Sequence, residues 1–254
     1  MPDANEVLSM MLQVNEIFGP TIQGEGPATG RHSLFIRMFG CNLECTWCDT
    51  AYTWAVTKPK AAKTLSGKQF SKDTECHYMY PSEVLAALEK HWPWRTNPTN
   101  VVISGGEPMM QQESLFPVIA ALDQADCPIH IETAGTITPS NTTAALVSQF
   151  VVSPKLANSG NHAKKRYKPD TLRWFNEHNA WFKFVIDDVK NLAEVDEMAN
   201  ALSIPAHRIM IMPEGTSYGI QLVRSRNMID EILRRGYGLS MREHVLIWGN
   251  RRAH

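Results

Sequence analysis

No stretch of the sequence approaches the ~18 or more consecutive apolar residues of a membrane-spanning helix, so no span is expected. Net charge is nearly absent: 25 Lys and Arg against 26 Asp and Glu leave −1. A protein that coats nucleic acid or an anionic membrane by bulk charge is thereby disfavoured. Glycine and proline, 15 of each in 254 residues, exclude collagen and long flexible linkers. No internal repeat and no low-complexity block is visible. Residues 1–6 are acidic, and the apolar run 7–12 has neither a basic leader nor a small-residue cleavage site, so no signal peptide is expected. Cysteine is scarce and odd in number. Five cannot form a disulfide scaffold, and a reducing, cytoplasmic compartment follows as the expectation. What is present is a 43% apolar composition, enough for one large domain or two small ones.

Periodicity organises the rest. An apolar run at 14–18 precedes a Gly-rich stretch at 19–27, and 33–39 reads as a strand. Residues 55–80 are rich in Lys, Thr and Ser without clear period and read as a loop or insertion. Helices are expected at 81–91, around Leu115, Val118, Ile119 and Leu122, at 139–149, at 170–176, from a cap at Asp187 or Asp188 to Leu202, and at 220–235. Strands are expected between them at 101–104, 129–133, 150–153, 181–186, 208–212 and 237–241. Alternating strands and helices imply βαβ units and a parallel sheet. About six to seven parallel strands suit an incomplete (β/α) barrel of the α/β class, with an open doubly wound sheet as the alternative. Either way a ligand site belongs at the C-terminal strand ends. Polar clusters fall there: Ser104 to Glu107, Glu132-Thr133, Ser153 to Lys155, Pro213-Glu214 and Arg242 to His244.

Three cysteines lie within eight residues as Cys41-x3-Cys45-x2-Cys48. Thiolates so close can converge on one metal centre, either zinc with a fourth ligand or an iron–sulfur cluster. No fourth Cys or His is near in sequence; Cys76, Cys127 or a histidine could supply it from elsewhere in the fold. Cys127 is otherwise a small buried apolar residue and Cys76 a free thiol. The basic run 164–168 reads as a solvated loop or a place for an acidic electron donor to dock.

The spacing of Cys41, Cys45 and Cys48 after the first strand, with Gly105-Gly106-Glu107-Pro108 after the next, resembles the radical S-adenosylmethionine (SAM) enzymes. More narrowly, Ile22 to Gly26, Phe35-Ile36-Arg37, Cys48-Asp49-Thr50, Ile131 to Gly135 and Ser153-Pro154-Lys155 resemble the 7-carboxy-7-deazaguanine synthase family. The resemblance runs from about Asn15 to about His244. It implies one radical SAM domain over 1–254, an insertion at about 55–80 and a tail from about 245. It implies a 4Fe–4S cluster on Cys41, Cys45 and Cys48. SAM would lie against Trp47, Cys48, Asp49, Gly106, Glu107, Ser153, Pro154 and Lys155. Met212, Pro213 and Glu214 would border SAM too, although relatives often show Gln-Pro there. Thr50 would give an oxygen to Mg2+. The pterin substrate, 6-carboxy-5,6,7,8-tetrahydropterin, would meet Ile22, Gln23, Gly24, Arg37, Ser104, Glu132, Thr133 and His244. Arg37 suits its carboxylate through a bidentate fork. A homodimer, a reduced flavodoxin-like electron donor, and no nucleic-acid or membrane partner complete the expectation. A glycyl-radical activase and a zinc-stabilised binding module are the other readings.

Overall fold

The computed structural model describes residues 11–254, so the expectation for the acidic start and most of the apolar run 7–12 lies outside the described residues. One nine-stranded sheet organises them, in the order His77–Met79 (β3), Leu12–Ile22 (β1), His32–Met38 (β2), Asn100–Gly105 (β4), Ile129–Thr133 (β5), Gln149–Val152 (β6), Trp181–Ile186 (β7), Ile209–Pro213 (β8) and Gly238–Leu239 (β9). Seven strands are parallel neighbours: β2 (His32–Met38), β4 (Asn100–Gly105), β5 (Ile129–Thr133), β6 (Gln149–Val152), β7 (Trp181–Ile186), β8 (Ile209–Pro213) and β9 (Gly238–Leu239). The sheet does not close. At its first edge β1 (Leu12–Ile22) runs antiparallel to β2, and β3 (His77–Met79) antiparallel to β1. This is the incomplete barrel, extended by two antiparallel strands.

Alternation along each strand divides the side chains between two faces. Leu34, Ile36, Met38, Val101, Ile103 and Ile131 join the main core. Helices cover that face: α1 (Pro81–His91), α2 (Gln112–Asp123), α3 (Asn141–Leu146), α4 (Pro169–Glu177), α5 (Leu192–Leu202) and α6 (Tyr218–Arg234). The apolar stripes expected of them, such as Leu115, Val118, Ile119 and Leu122 on α2, are fully buried. Their intervening partners Arg37, Ser104, Glu132, Lys183 and Met212 turn to the opposite face and line a cavity. Among the described residues no helix is long and apolar enough to cross a membrane.

Several boundaries differ from expectation. Residues 55–80 contain two single helical turns, Lys58–Ala61 and Lys72–Glu75, followed by β3. Three residues are too few to display a period, which is why the strand escaped notice. β1 extends through Gly19 and Pro20; β3 pairs only with Leu12 to Val14, so the far part of β1 has a free side where proline is tolerated. The helix expected over 139–149 is only Asn141–Leu146, capped by Ser140. Asp188 caps a 3-10 turn, Val189–Asn191, that leads into α5. The last expected strand shrinks to Gly238–Leu239, and an unexpected helix, α7 (Glu243–Trp248), follows.

Candidate active site

A cavity of about 470 Å3 opens at the C-terminal ends of the parallel strands, within the ordinary range for a ligand site. Cys41, Cys45 and Cys48 share it. Each sulfur receives one N–H: Leu43 N donates to Cys41 Sγ at 3.4 Å, Asn161 Nδ2 to Cys45 Sγ at 3.2 Å, and Trp54 Nε1 to Cys48 Sγ at 3.3 Å. Such donors favour thiolate sulfur, the form that binds metal. Burial works the other way. It pushes all three thiols up, Cys48 to about 11 with Asp49 adding to the effect, so a metal must displace their protons. Among the described residues no three His, Cys, Asp or Glu are gathered tightly enough for a single ion. Three cysteine sulfurs on one cavity wall, each met by an N–H donor, are the donor chemistry an iron–sulfur cluster takes, so the residues present fit that group.

Beside the thiols, Gly106 comes so close to the Gly40 backbone that a Cβ would sit 1.8 Å from the Gly40 carbonyl oxygen. Only glycine allows this approach. Trp47 Nε1 donates to Asn158 O at 3.0 Å, and Lys155 Nζ donates to the Ser153 carbonyl and hydroxyl at 2.9 and 2.8 Å, 5.8 Å from the Trp47 ring centre. Asp49, Met212, Pro213 and Glu214 also line the cavity. Glu107 and Pro154 do not. Glu107 is fully buried and accepts from Thr133 Oγ1 (2.7 Å), Ala134 N (2.8 Å) and Met109 N (3.1 Å). Burial raises its carboxyl in spite of these bonds. It ties the Gly106 segment to the end of β5, and its contact with SAM gains no support from this position.

Ile22, Gln23, Gly24, Arg37, Thr50, Ser104, Glu132, Thr133 and His244 are all on the wall. Arg37 is fixed by Glu16, Nε to Oε1 at 2.6 Å, and packs near Phe18 and Tyr52. Gln23 Nε2 donates to Glu132 Oε1 at 3.0 Å. Gly24 approaches His244 so closely that a Cβ would meet its Nδ1 at 2.0 Å. Burial lowers the His244 imidazole. Thr50 Oγ1 lies 3.6 Å from Cys48 Sγ.

Reading the sequence alone missed a buried lattice of charge on the same wall. Lys183 Nζ meets Glu25 Oε2 at 2.5 Å and Glu132 Oε1 at 3.7 Å. Arg242 Nε meets the other Glu25 oxygen at 2.8 Å, and its Nη2 pairs with Asp49. Burial alone would raise the Glu25 carboxyl, yet Lys183 and Arg242 hold it well below the usual carboxylate range. A lysine set among the apolar residues of 181–186 was the available signal. The C-terminal residues Asn250 to His254 also line the cavity. Cys76 and Cys127 are buried elsewhere, Cys127 near Trp94 O and Cys76 near Gln13 Oε1.

Comparison with known proteins adds to this geometry. The model of the radical SAM superfamily matches residues 35–151. A 7-carboxy-7-deazaguanine synthase of Pyrobaculum aerophilum is 31% identical over 95% of this chain and 96% of its own length. That of Hyperthermus butylicus is 32% identical over 81% of this chain and 78% of its own. The Escherichia coli K12 synthase is 28% identical over 92% of this chain and 97% of its own. The crystal structure of QueE from Escherichia coli shares the fold, with a TM-score of 0.65 and 24% identity over 95% of this chain and 99% of that one.

Proposed function

The chain belongs to the 7-carboxy-7-deazaguanine synthase family of radical SAM enzymes, and on that premise we propose how its cavity works. The reaction is the ring contraction of 6-carboxy-5,6,7,8-tetrahydropterin to 7-carboxy-7-deazaguanine with loss of ammonia. The carrying observation is one cavity that combines three N–H-bonded thiols with a fixed arginine and a carboxylate–amide pair. Family membership decides against the activase and the zinc-stabilised module.

Cys41, Cys45 and Cys48 would hold the 4Fe–4S cluster, and Trp47, Asp49, Gly106, Ser153, Lys155 and Met212 to Glu214 would border SAM. When bound, these two groups would supply radical chemistry directed at C6 of the pterin. The protein's own part is to place that carbon. Arg37 would grip the substrate carboxylate; Glu16 occupies its Nε, and its terminal nitrogens make no hydrogen bond among the described residues. Glu132, oriented by Gln23 and Lys183, offers an acceptor for the donor edge of the pyrimidine ring, and Ile22, Gly24, Ser104, Thr133 and His244 would complete the pocket. Thr50 would lend its hydroxyl to Mg2+, with substrate carboxylate and water as the other oxygens.

A reduced flavodoxin-like protein is the electron donor in this reading. A homodimer is supported by exposed Ile220, Val223, Leu246 and Ile247 near the C-terminus. Five unpaired cysteines support a cytoplasmic location. The test is anaerobic: the reconstituted protein is given SAM, Mg2+, reductant and 6-carboxytetrahydropterin. The deazapurine should form, seen by absorbance and mass. Formation of 5′-deoxyadenosine without it would show the substrate to be wrong.

A further inference from the structure

The three sulfurs of the thiol loop are not served alike. Cys41 takes its N–H from the main chain of Leu43, so that bond depends on no side chain. Cys45 and Cys48 take theirs from the side chains of Asn161 and Trp54, which lie outside the loop. Single substitutions can therefore remove these two bonds and leave the loop's own sequence untouched. Neither position belongs to the cysteine spacing that marks the loop.

Both donors are held firmly. Trp54 is 2% exposed and packs with Ala51 and Ala55 against Cys41, Cys48 and Phe70. Its main-chain N–H goes to Ala51 O at 3.1 Å. A buried indole N–H without an acceptor is costly, and the Cys48 sulfur at 3.3 Å is the acceptor it finds. Asn161 is fixed by three bonds. Its Oδ1 accepts from Glu44 N at 2.9 Å, and its Nδ2 donates to Ser159 Oγ and Cys45 Sγ, both at 3.2 Å. Ser159 gives its own hydroxyl hydrogen to Leu156 O at 2.7 Å, so toward Asn161 it only accepts. The amide thus has one orientation. Turned over, it would set oxygen against the Cys45 sulfur and the Ser159 lone pair, and nitrogen against the Glu44 N–H.

We propose that Trp54 and Asn161 are positioning residues that raise the reduction potential of the cluster by aiming an N–H at the Cys48 and Cys45 sulfurs. The inference rests on the synthase reading, because it takes the three thiolates as ligands of a 4Fe–4S cluster. One electron from a one-electron reductant takes that cluster from its 2+ to its 1+ state, and no bond or proton moves. The added negative charge spreads onto the thiolate sulfurs. An N–H donor stabilises the more negative state more, and a buried wall leaves the attraction little screened. Asp49 bears on the same two sulfurs, Cys45 and Cys48, and its charge works against the electron. Lys155 helps at Cys45. The two side-chain donors therefore stand where an acid would otherwise make reduction hardest.

The test uses the full-length, reconstituted protein without substrate. It is poised at a series of potentials with redox mediators, and the reduced cluster is read by its electron paramagnetic resonance signal. Trp54→Phe keeps an aromatic ring and loses the N–H. Reduction of its cluster should be about tenfold less favourable, a downward shift of about 59 mV for a one-electron couple. Asn161→Leu, close in shape and without the amide, should shift the potential in the same direction. Iron, acid-labile sulfide and visible absorbance should match the wild type, which separates a changed potential from a damaged cluster. A potential unchanged or raised in either variant, at full cluster content, would overturn the proposal. If Trp54→Phe takes up less than a full cluster, Asn161→Leu, at a partly exposed position, decides the matter. A wild type that binds zinc and holds no acid-labile sulfide would overturn the synthase reading and this proposal with it, an outcome distinct from a full cluster whose potential does not move.

Discussion

The thiol loop and the ion-pair lattice line the same cavity but are made in opposite ways. The loop is local: its three sulfurs come from eight consecutive residues, and each is steadied by a single N–H. The lattice is assembled from afar. Glu25 meets Lys183 across 158 positions of the chain and Arg242 across 217, and Asp49 meets Arg242 across 193. A local element can survive a change in the rest of the fold and fail only in its chemistry. A long-range lattice binds sheet strands to loops, so a change there should be felt first in stability. The following outcomes would sharpen or break that contrast.

The largest effect belongs to the loop. Cys45→Ala should abolish turnover and remove the cluster's iron, sulfide and visible absorbance. The protein should nevertheless melt as a folded unit, because the side chain lost is small. Full activity with SAM in this variant would sink the scheme, and loss of the fold would break the contrast.

The lattice should answer in the other order. Lys183→Met leaves Glu25 with Arg242 alone and takes from Glu132 its neighbouring cation, and removal of one partner from such a buried group costs up to about 3–5 kcal/mol. A clear fall in Tm is expected. Adding Glu25→Gln should restore part of it. A single variant as stable as the wild type would show that the lattice holds no strands together.

Acid supplies a gentler probe of the same lattice. The folded-state pKa of Glu25 lies well below its ordinary value of 4.5. The stability it contributes is therefore complete above that ordinary value and is lost as pH falls through the lowered one. Glu25→Gln should flatten this acid limb in a plot of Tm against pH. An equally steep limb in the variant would assign the loss to other carboxylates.

These differences also explain what could be read from the sequence. The parallel strands announce themselves through apolar runs, and the thiols through their spacing. Gly106 is visible as part of a motif, although the reason for it, the approach to Gly40, is not. Arg37 is legible as a carboxylate fork, while its anchor Glu16 is not, since the pair depends on β1 lying antiparallel to β2. Lys183 and Arg242 each look ordinary until strand alternation and chain return bring them to Glu25. The segment 55–80 has no period because its elements last only three or four residues.

The smallest effect concerns the tail, which belongs to neither class. Residues 250–254 line the cavity, and Arg252 tethers them. Its Nη2 meets Glu75 Oε2 at 2.9 Å and Asn15 Oδ1 at 3.2 Å, and its guanidinium lies 3.8 Å from the Tyr52 ring centre. The side chain is partly exposed, so water screens the ion pair, and Arg252→Ala should cost no more than about 1 kcal/mol of stability. The tether's consequence is positional. Freed from Glu75 and Tyr52, the tail would spend part of its time away from the cavity, and the pocket would have to reorder it on binding. KM for the pterin should rise a few-fold, by roughly the equivalent of 1 kcal/mol, with kcat little changed. A fall in kcat at constant KM would instead place the tail in the chemical step and make it a third working part of the cavity.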